Sequence, residues 1–323
     1  MHILVAGGAG YIGSHVVVDL LENGHQVTVF DDLSTGCEEN LQESAHFVKG
    51  DIFEKGPLER LMTATQFDAV IHMAALKAAG DSMKEPEQYT RHNIEGSYRL
   101  LELAVRHNVK YFVFSSTATV YGDPQYLPMD EKHPLEPASF YGFTKLQVER
   151  QMAWYSQLRG LRFASLRYFN AAGYDAKGRV PGMERGTQNL IPVVMEFASG
   201  RRARLEVFGE DYETRDGTCI RDYIHVSDLA RAHTKALAYL NEKNLDLLVN
   251  LGTETGYTVK EVLAAAEKVI GKALDVQITD RRPGDPPTLL ADSGLARQLL
   301  NWAPEESDLH HMLTTTWELY RPR

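Results

Sequence analysis

Cysteine is nearly absent from this chain: Cys37 and Cys219 are the two in 323 residues. They lie far apart without metal-type spacing, which excludes a disulfide framework and a cysteine-based metal site and fits free thiols in a reducing compartment. No apolar run reaches the roughly 20 residues that span a bilayer. Positive charge is not in excess either. The net charge is -10, which argues against nucleic acid or an anionic membrane as the general partner. Internal repeats and low-complexity stretches are missing. So is any signal-peptide pattern, because His2-Ile3-Leu4-Val5 reads as a strand at once. The expected location is therefore cytoplasmic. Any anionic ligand must be held locally, by backbone N–H groups and a few arginines.

What is present is ordinary for a globular protein: 43% hydrophobic and 24% charged residues. Short apolar strands alternate with amphipathic helices. HILVAGG is followed by the helix IGSHVVVDLLENG, closed by Gly24, and then by the strand QVTVFDD. HFVKGDI, FDAVIHMAA, a helix over 93–107, KYFVFSSTATVYG and LRFASLRYFNAAG continue the pattern. This alternation predicts an α/β fold, a doubly wound parallel sheet with helices on both faces. After Gly173 the chain turns Gly/Pro/charge-rich (YDAKGRVPGMERGTQ), as a hinge would. Beyond it come the helix LIPVVMEFASG, the short strands RLEVFG and RDYIHV, a helix from Asp228 and the strand DLLVNLG. Thr258 and Glu261 then fit a capping box opening VKEVLAAAEKVIG. The expected division is a cofactor domain over 1–175 and a smaller C-terminal α/β domain over 176–323, mainly for substrate.

Gly7, Gly10 and Gly13 form G-x-x-G-x-x-G between a buried strand and a helix. Without Cβ atoms, a pyrophosphate can reach the N–H groups at the helix start, where the dipole favours negative charge. The next strand ends in Asp31-Asp32, and Asp31 lies eighteen residues after Gly13. There a carboxylate can accept both ribose hydroxyls of NAD, and it would repel a 2′-phosphate. The first domain thus reads as a Rossmann-type domain for NAD. No metal is expected.

Tyr141 and Lys145 stand four apart in SFYGFTKLQVER, on one face of a predicted helix. A second such pair, Tyr239 and Lys243, reads as a solvated helix face. Only the first pair has Ser115-Ser116-Thr117 at the C-terminal edge of a strand, where ligands of open α/β sheets bind. A free phenol titrates near pH ~10, and reaching ~7 requires about 4 kcal/mol of stabilisation of its anion. A nearby ammonium and an oxidised, cationic nicotinamide both act in that direction. In this reading Lys145 also bonds the nicotinamide ribose, Thr117 holds a substrate hydroxyl, and Tyr141 takes its proton while NAD takes the hydride.

GGAGYIG, the Ser-Ser-Thr strand and Tyr-x-x-x-Lys resemble the extended short-chain dehydrogenase/reductase family. Longer stretches resemble its UDP-glucose 4-epimerase branch: MAALKAAGDS from Met73, SSTATVYGD from Ser115, RYFNAAG from Arg167, DYETRDGTCIRDYIHVSDLA from Asp211 and RRPGDPP from Arg281. The likeness runs from the first strand to near Trp302. It implies a tightly held NAD and reversible 4-epimerisation of a UDP-hexose through transient oxidation at C4. It implies catalytic roles for Tyr141, Lys145 and Thr117. Around the cofactor it places these three with Gly7, Gly10, Tyr11, Ile12, Gly13, Asp31, Asp32, Leu33, Ser34, Thr35, Gly36, Asp51, Ile52, Met73, Ala74, Ala75, Leu76, Lys77, Asn93 and Phe169. Around the UDP-sugar it places Thr117, Tyr141, Asn170, Asn189, Leu190, Glu206, Phe208, Arg221, Arg282, Asp285 and Leu289. Two arginines give planar forks for a diphosphate, Phe208 can lie against uracil, and Asp285 can accept ribose hydroxyls. The helix carrying Trp154, Tyr155 and Leu158 packs in a dimer interface in that family, which makes a homodimer the expected assembly.

His72 and His225 lie in apolar, strand-like runs and read as buried structural residues. The sequence departs from the family pattern at Thr117, where serine is common, and in the loop PGMERGT, for which it offers no account. Leu289, at the position that gates the sugar's 2-substituent, leaves N-acetylated sugars open beside glucose and galactose. A dehydratase would need an acid and a base where Ala118 and Thr119 stand. The alternatives kept are a 4-epimerase of a UDP-pentose or UDP-uronic acid and a non-catalytic NAD-binding sensor.

Overall fold

The computed structural model of the chain describes residues 1–54, 56–184, 186–282 and 284–322. Arg185 of PGMERGT and Pro283 of RRPGDPP lie outside them. Six strands of the first half are β1 (His2–Ala6), β2 (Gln26–Asp31), β3 (His46–Lys49), β4 (Ala69–His72), β5 (Tyr111–Thr117) and β6 (Arg162–Tyr168). Their apolar runs are continuous rather than alternating because both faces are covered: every residue of β4 is buried. Helices α1 (Tyr11–Glu22), α2 (Pro57–Ala64), α5 (Gly96–Arg106) and α6 (Phe140–Arg159) cover the sheet, with the single turns α3 (Ala79–Ser82) and α4 (Pro86–Tyr89) between. α1 ends at Asn23, and Gly24 takes the left-handed conformation (φ +76°) that closes it. The helix expected over 93–107 is instead a π-helical stretch, Thr90–Glu95, running into α5.

The chain then crosses to a second layer. Its strands are β7 (Asn170–Ala172), β8 (Glu206–Phe208), β9 (Ile220–His225), β11 (Gly256–Thr258), β12 (Gln277–Thr279) and β13 (Thr288–Leu289). β9 pairs with β7, β11 and β13, and β8 pairs with β12. Helices α7 (Leu190–Ala198), α9 (Val259–Ile270) and α11 (Leu309–Tyr320) pack on a core that includes Tyr174, Val194, Val262 and Met312. The capping box of α9 forms as expected: the Glu261 N–H donates to Thr258 Oγ1 (3.0 Å) and the Thr258 N–H to Glu261 Oε2 (2.9 Å).

Three further features differ from the sequence reading. The strand DLLVNLG contributes β10 (Leu247–Leu251), which pairs in parallel with β6 and completes a seven-stranded sheet of order β10-β6-β5-β4-β1-β2-β3. Its preceding helix, α8 (Val226–Lys243), lies against α1, and α10 (Gly294–Leu300) lies on both α8 and β10. α8 starts at Val226, capped by His225, two residues before Asp228. Asp228 is fully buried and accepts the N–H groups of Glu305 (2.8 Å) and Glu306 (3.0 Å), so it fastens the C-terminal loop instead of opening the helix. Tyr239 is not a solvated face but half-buried against the first core.

Candidate functional site

The turn between β1 and α1 is compact because two of its glycines touch backbone. A Cβ on Gly7 (φ +85°) would stand 2.5 Å from the Ala74 nitrogen, and one on Gly13 would stand 2.1 Å from the Gly7 oxygen. No side chain caps α1 at Gly10, so the N–H groups of Tyr11 and Ile12 keep the unpaired donors of a helix start. An anion fits there, and the cradle suits a diphosphate. β1 is also the strand from which the strand order runs outward both ways, to β2 and β3 on one side and to β4 on the other, the switch point where open α/β sheets take ligands.

Asp31 ends β2 as a buried carboxylate. It accepts the N–H of Ala9 (2.9 Å) and of Leu33 (2.8 Å), and Gly36 packs on it. Burial pushes its pKa up, and these two bonds oppose the shift. Asp32 is exposed and spends its Oδ1 on the Ser34 N–H (2.8 Å) and hydroxyl (2.6 Å), which shapes the turn through Ser34 and Thr35. Asp51 holds the Phe53 N–H (2.9 Å), and Ile52 is buried. Met73 and Ala74 extend β4 with N–H donations to Ala6 O, and Ala75 lies between them and Leu76. Asn93 grips Leu76 from both sides: its Oδ1 accepts the Leu76 N–H and its Nδ2 donates to the Leu76 carbonyl, each at 2.8 Å. Lys77 follows directly and forms an ion pair with Glu184.

Tyr141 occupies the first turn of α6. Ser139 caps that helix, its Oγ accepting the Gly142 N–H (3.2 Å), while the Tyr141 N–H donates to Ser82 Oγ (2.9 Å). Lys145 is buried at 3% exposure, donates to the Ser115 carbonyl (2.8 Å), and lies 4.7 Å from the Phe114 ring centroid and 5.8 Å from that of Tyr141. Burial lowers its pKa to about 7, opposed by the charge of Glu149. Burial raises the Tyr141 phenol, opposed by a hydrogen bond with Thr117. Burial thus leaves the phenol above its ordinary value in the protein alone, where the sequence suggests that the ammonium brings it down. Of the three hydroxyls expected at the sheet edge, Ser115 is engaged with the Tyr168 hydroxyl and Ser116 donates to Glu149 (2.6 Å). Thr117 is the one beside Tyr141. Phe169 is buried near Val120 and Tyr121.

The residues expected around the sugar nucleotide gather on the second layer. Leu289 and Arg221 are paired across β13 and β9, and Asn170 is paired with Tyr223 across β7 and β9, its Nδ2 donating to the Asp222 carbonyl (2.8 Å). Arg221 forms an ion pair with Asp285 (2.8 Å). Arg282 lies 3.8 Å from the Phe208 ring centroid. Asn189 stands exposed at the start of α7 before half-buried Leu190, and Glu206 is exposed at the start of β8. Arg281 is held away from this group by Asp211 (2.6 Å).

Sequence reasoning missed the groups that fix these parts. Glu149 is buried and accepts from Ser116, Ser165 (2.7 Å) and both Nε (2.9 Å) and Nη2 (2.6 Å) of Arg167. Its spacing four residues after Lys145 is the only sequence signal. Asp222 is buried and accepts the N–H groups of Thr253 (2.8 Å), Glu254 (3.0 Å) and Ala291 (3.2 Å), which ties the Leu289 strand to the loop after β10. His225, Glu306 and His311 also cluster within 4.8 Å. His225 Nδ1 accepts the Ser227 N–H (3.1 Å), and Glu306 pairs through Oε1 with Arg231 (2.8 Å) and through Oε2 with His311 (3.5 Å).

A doubly wound sheet with a glycine turn at its switch point, and a buried lysine under a tyrosine at the same edge, define an α/β protein of the dinucleotide-binding class. The chain belongs to the NAD dependent epimerase/dehydratase family, whose model matches residues 3–252. The UDP-glucose 4-epimerase of Halalkalibacterium halodurans is 43% identical over 321 residues, 99% of this chain and 96% of that protein. A UDP-glucose 4-epimerase from Brucella ovis, solved in complex with NAD, superposes with a TM-score of 0.95 at 41% identity, covering 99% of this chain and 98% of that one. A UDP-glucose-4-epimerase from Stenotrophomonas maltophila, solved with bound NAD and formylated UDP-arabinopyranose, gives 0.94 at 39% identity, covering 99% and 98%. Among the described residues no helix is long and apolar enough to cross a membrane.

Proposed function

We propose that this chain catalyses the reversible 4-epimerisation of a UDP-hexose, UDP-glucose and UDP-galactose first, with bound NAD. The observation that carries the reading is the meeting at one sheet edge of the glycine cradle, buried Lys145 and the Tyr141–Thr117 pair, in a chain similar over its full length to UDP-glucose 4-epimerases. The cradle, with two donors at the start of α1 and Asp31 eighteen residues after Gly13, fits NAD, which when bound supplies the hydride acceptor and donor.

The chain's own residues handle the proton. Thr117 positions the C4 hydroxyl, and Tyr141 takes its proton and returns it after the 4-keto sugar has presented its other face. Lys145, fixed by the Ser115 carbonyl, supplies positive charge on the phenolate's side. Arg221 and Arg282 grip the diphosphate, Phe208 backs the uracil and Asp285 takes ribose hydroxyls. The working division is a cofactor part over 1–175 and a part mainly for the sugar nucleotide over 176–323, with α8 and β10 returned to the first sheet. Cytoplasmic location and a homodimer through α6, whose Trp154 and Leu158 are 58% and 62% exposed, belong to the same proposal. A pentose nucleotide is the second reading, favoured by the arabinopyranose complex of a relative.

The test is incubation of the purified protein, without added NAD, with UDP-glucose, UDP-N-acetylglucosamine and UDP-xylose in turn, followed by product separation. Conversion of UDP-glucose to UDP-galactose is the expected result, and inertness toward it with turnover of UDP-xylose would transfer the proposal to the pentose.

A further inference from the structure

Residues 173–184 form a strap bound directly to the glycine cradle. Tyr11 Oη donates to the Gly173 carbonyl (2.5 Å), and the Asp175 N–H donates to His15 Nε2 (3.0 Å). Gln42 Nε2 donates to the Arg179 carbonyl (2.9 Å). Asn40 joins strap to cradle: its Oδ1 accepts the Gly182 N–H (2.7 Å) and its Nδ2 donates to the Ala9 carbonyl (3.2 Å). Gly182 is in contact with Cys37, where a Cβ would come within 2.6 Å of the Cys37 Cβ.

The strap delivers Glu184 to Lys77. Glu184 is 8% exposed, and its N–H donates to Tyr174 Oη (3.0 Å). Apart from the ion pair with Lys77, neither carboxylate oxygen accepts a hydrogen bond among the described residues. A carboxylate has about four acceptor sites, and burying one with most of them unfilled is costly. Among the described residues this capacity stays unfilled, which leaves it open to a donor from a bound molecule. Lys77 itself is half-exposed and held in place by the Asn93 grip on Leu76. One partner of the pair therefore comes from the strap and the other from the rim of the groove where the dinucleotide is proposed to lie.

We propose that Glu184 is a positioning residue for cofactor retention: through Lys77 it clasps the strap over the groove, and its remaining lone pairs accept from a hydroxyl of the bound dinucleotide. The inference rests on the NAD reading above. It assigns a role to the loop PGMERGT that the sequence leaves unexplained.

The experiment purifies the full chain as wild type, Glu184→Gln, Asn40→Ala and the control Lys177→Ala, whose exposed ion pair with Glu22 lies on the strap's outer side. NAD content after purification and the rate of NAD release into excess scavenging dehydrogenase are measured, with melting temperatures alongside. The wild type and Lys177→Ala retain NAD. Glu184→Gln releases it about tenfold faster or more, because loss of one partner of a buried charge pair acts mainly on dissociation. Asn40→Ala, which loosens the strap from the opposite side without touching the pair, changes release in the same direction. If Glu184→Gln lowers the melting temperature while release stays at the wild-type rate, the clasp is overturned. If Glu184→Gln does not fold, wild-type release from Asn40→Ala overturns it equally. A wild type that carries no dinucleotide would instead sink the NAD reading itself, and the two failures are thereby distinguished.

Discussion

The guanidinium of Arg167 and the carboxylate of Glu149 form a buried ion pair, Nη2 to Oε2 at 2.6 Å, one helical turn beyond Lys145. Arg167 also donates to Tyr121 Oη (3.1 Å), which donates onward to Asn250 (2.6 Å) on β10. The pair thus ties α6, β6 and β10 together beneath the tyrosine–lysine edge. Glu149→Gln should cost about 3–5 kcal/mol in urea unfolding, because Arg167 is left buried without its counter-charge. Replacing both residues with methionine should cost clearly less than the single change, since no unpaired charge remains.

Tyr141→Phe should keep NAD and slow epimerisation by roughly 10²- to 10⁴-fold, the usual share of a positioned acid–base group. Thr117→Ser should stay close to wild type and Thr117→Val should not, because only the hydroxyl is needed. Initial rates with UDP-galactose check all three; a Phe variant at near-full rate would remove Tyr141 from the reaction.

Four histidines are buried in neutral form. Burial lowers His72 and His225 to about 3 and His15 and His233 to about 4. Unfolded histidine titrates near ~6.5, so the unfolded chain binds more protons as the pH falls below that value. The stability these groups contribute is therefore whole above pH ~6.5 and is lost as the pH drops toward their folded values, at up to about 1.4 kcal/mol per unit for each. Urea midpoints measured from pH 7.5 down to 5 should fall steeply. His233→Gln should flatten that slope by one histidine's share.

Leu289 pairs with Arg221 on the second layer, where the sugar nucleotide is proposed to lie, and is half-buried. Leu289→Tyr should narrow the space beside the sugar. Turnover of UDP-N-acetylglucosamine is expected to drop more than that of UDP-glucose, and an equal loss for both would place the 2-substituent elsewhere.

The parts of the molecule that were legible in the sequence are those made by neighbours in the chain. The glycine turn, the Asp31 strand end, the Tyr141–Lys145 spacing and the Thr258–Glu261 cap each need only a short stretch and one backbone conformation. What was not legible depends on partners far away. Asp228 looked like a helix opener because its burial is decided by Glu305 and Glu306, more than seventy residues on. Glu149 drew no notice because its partner, Arg167, comes from the next strand, eighteen residues on. Glu184 gained meaning only from Lys77, which comes from the opposite side of the groove.

The place of β10 governs the order in which this protein can be made. The outer edge of β6 has no neighbour until residues 247–251 have left the ribosome, because its partner is encoded after the first elements of the second layer, β7, α7, β8 and β9. A nascent chain stopped near residue 175 would present an open row of peptide groups, bordered by the apolar surface that α8 covers in the finished molecule. Such an intermediate is prone to stick to its neighbours on a polysome. Truncations of this chain ahead of Leu251 are thus a poor route to an isolated cofactor-binding unit.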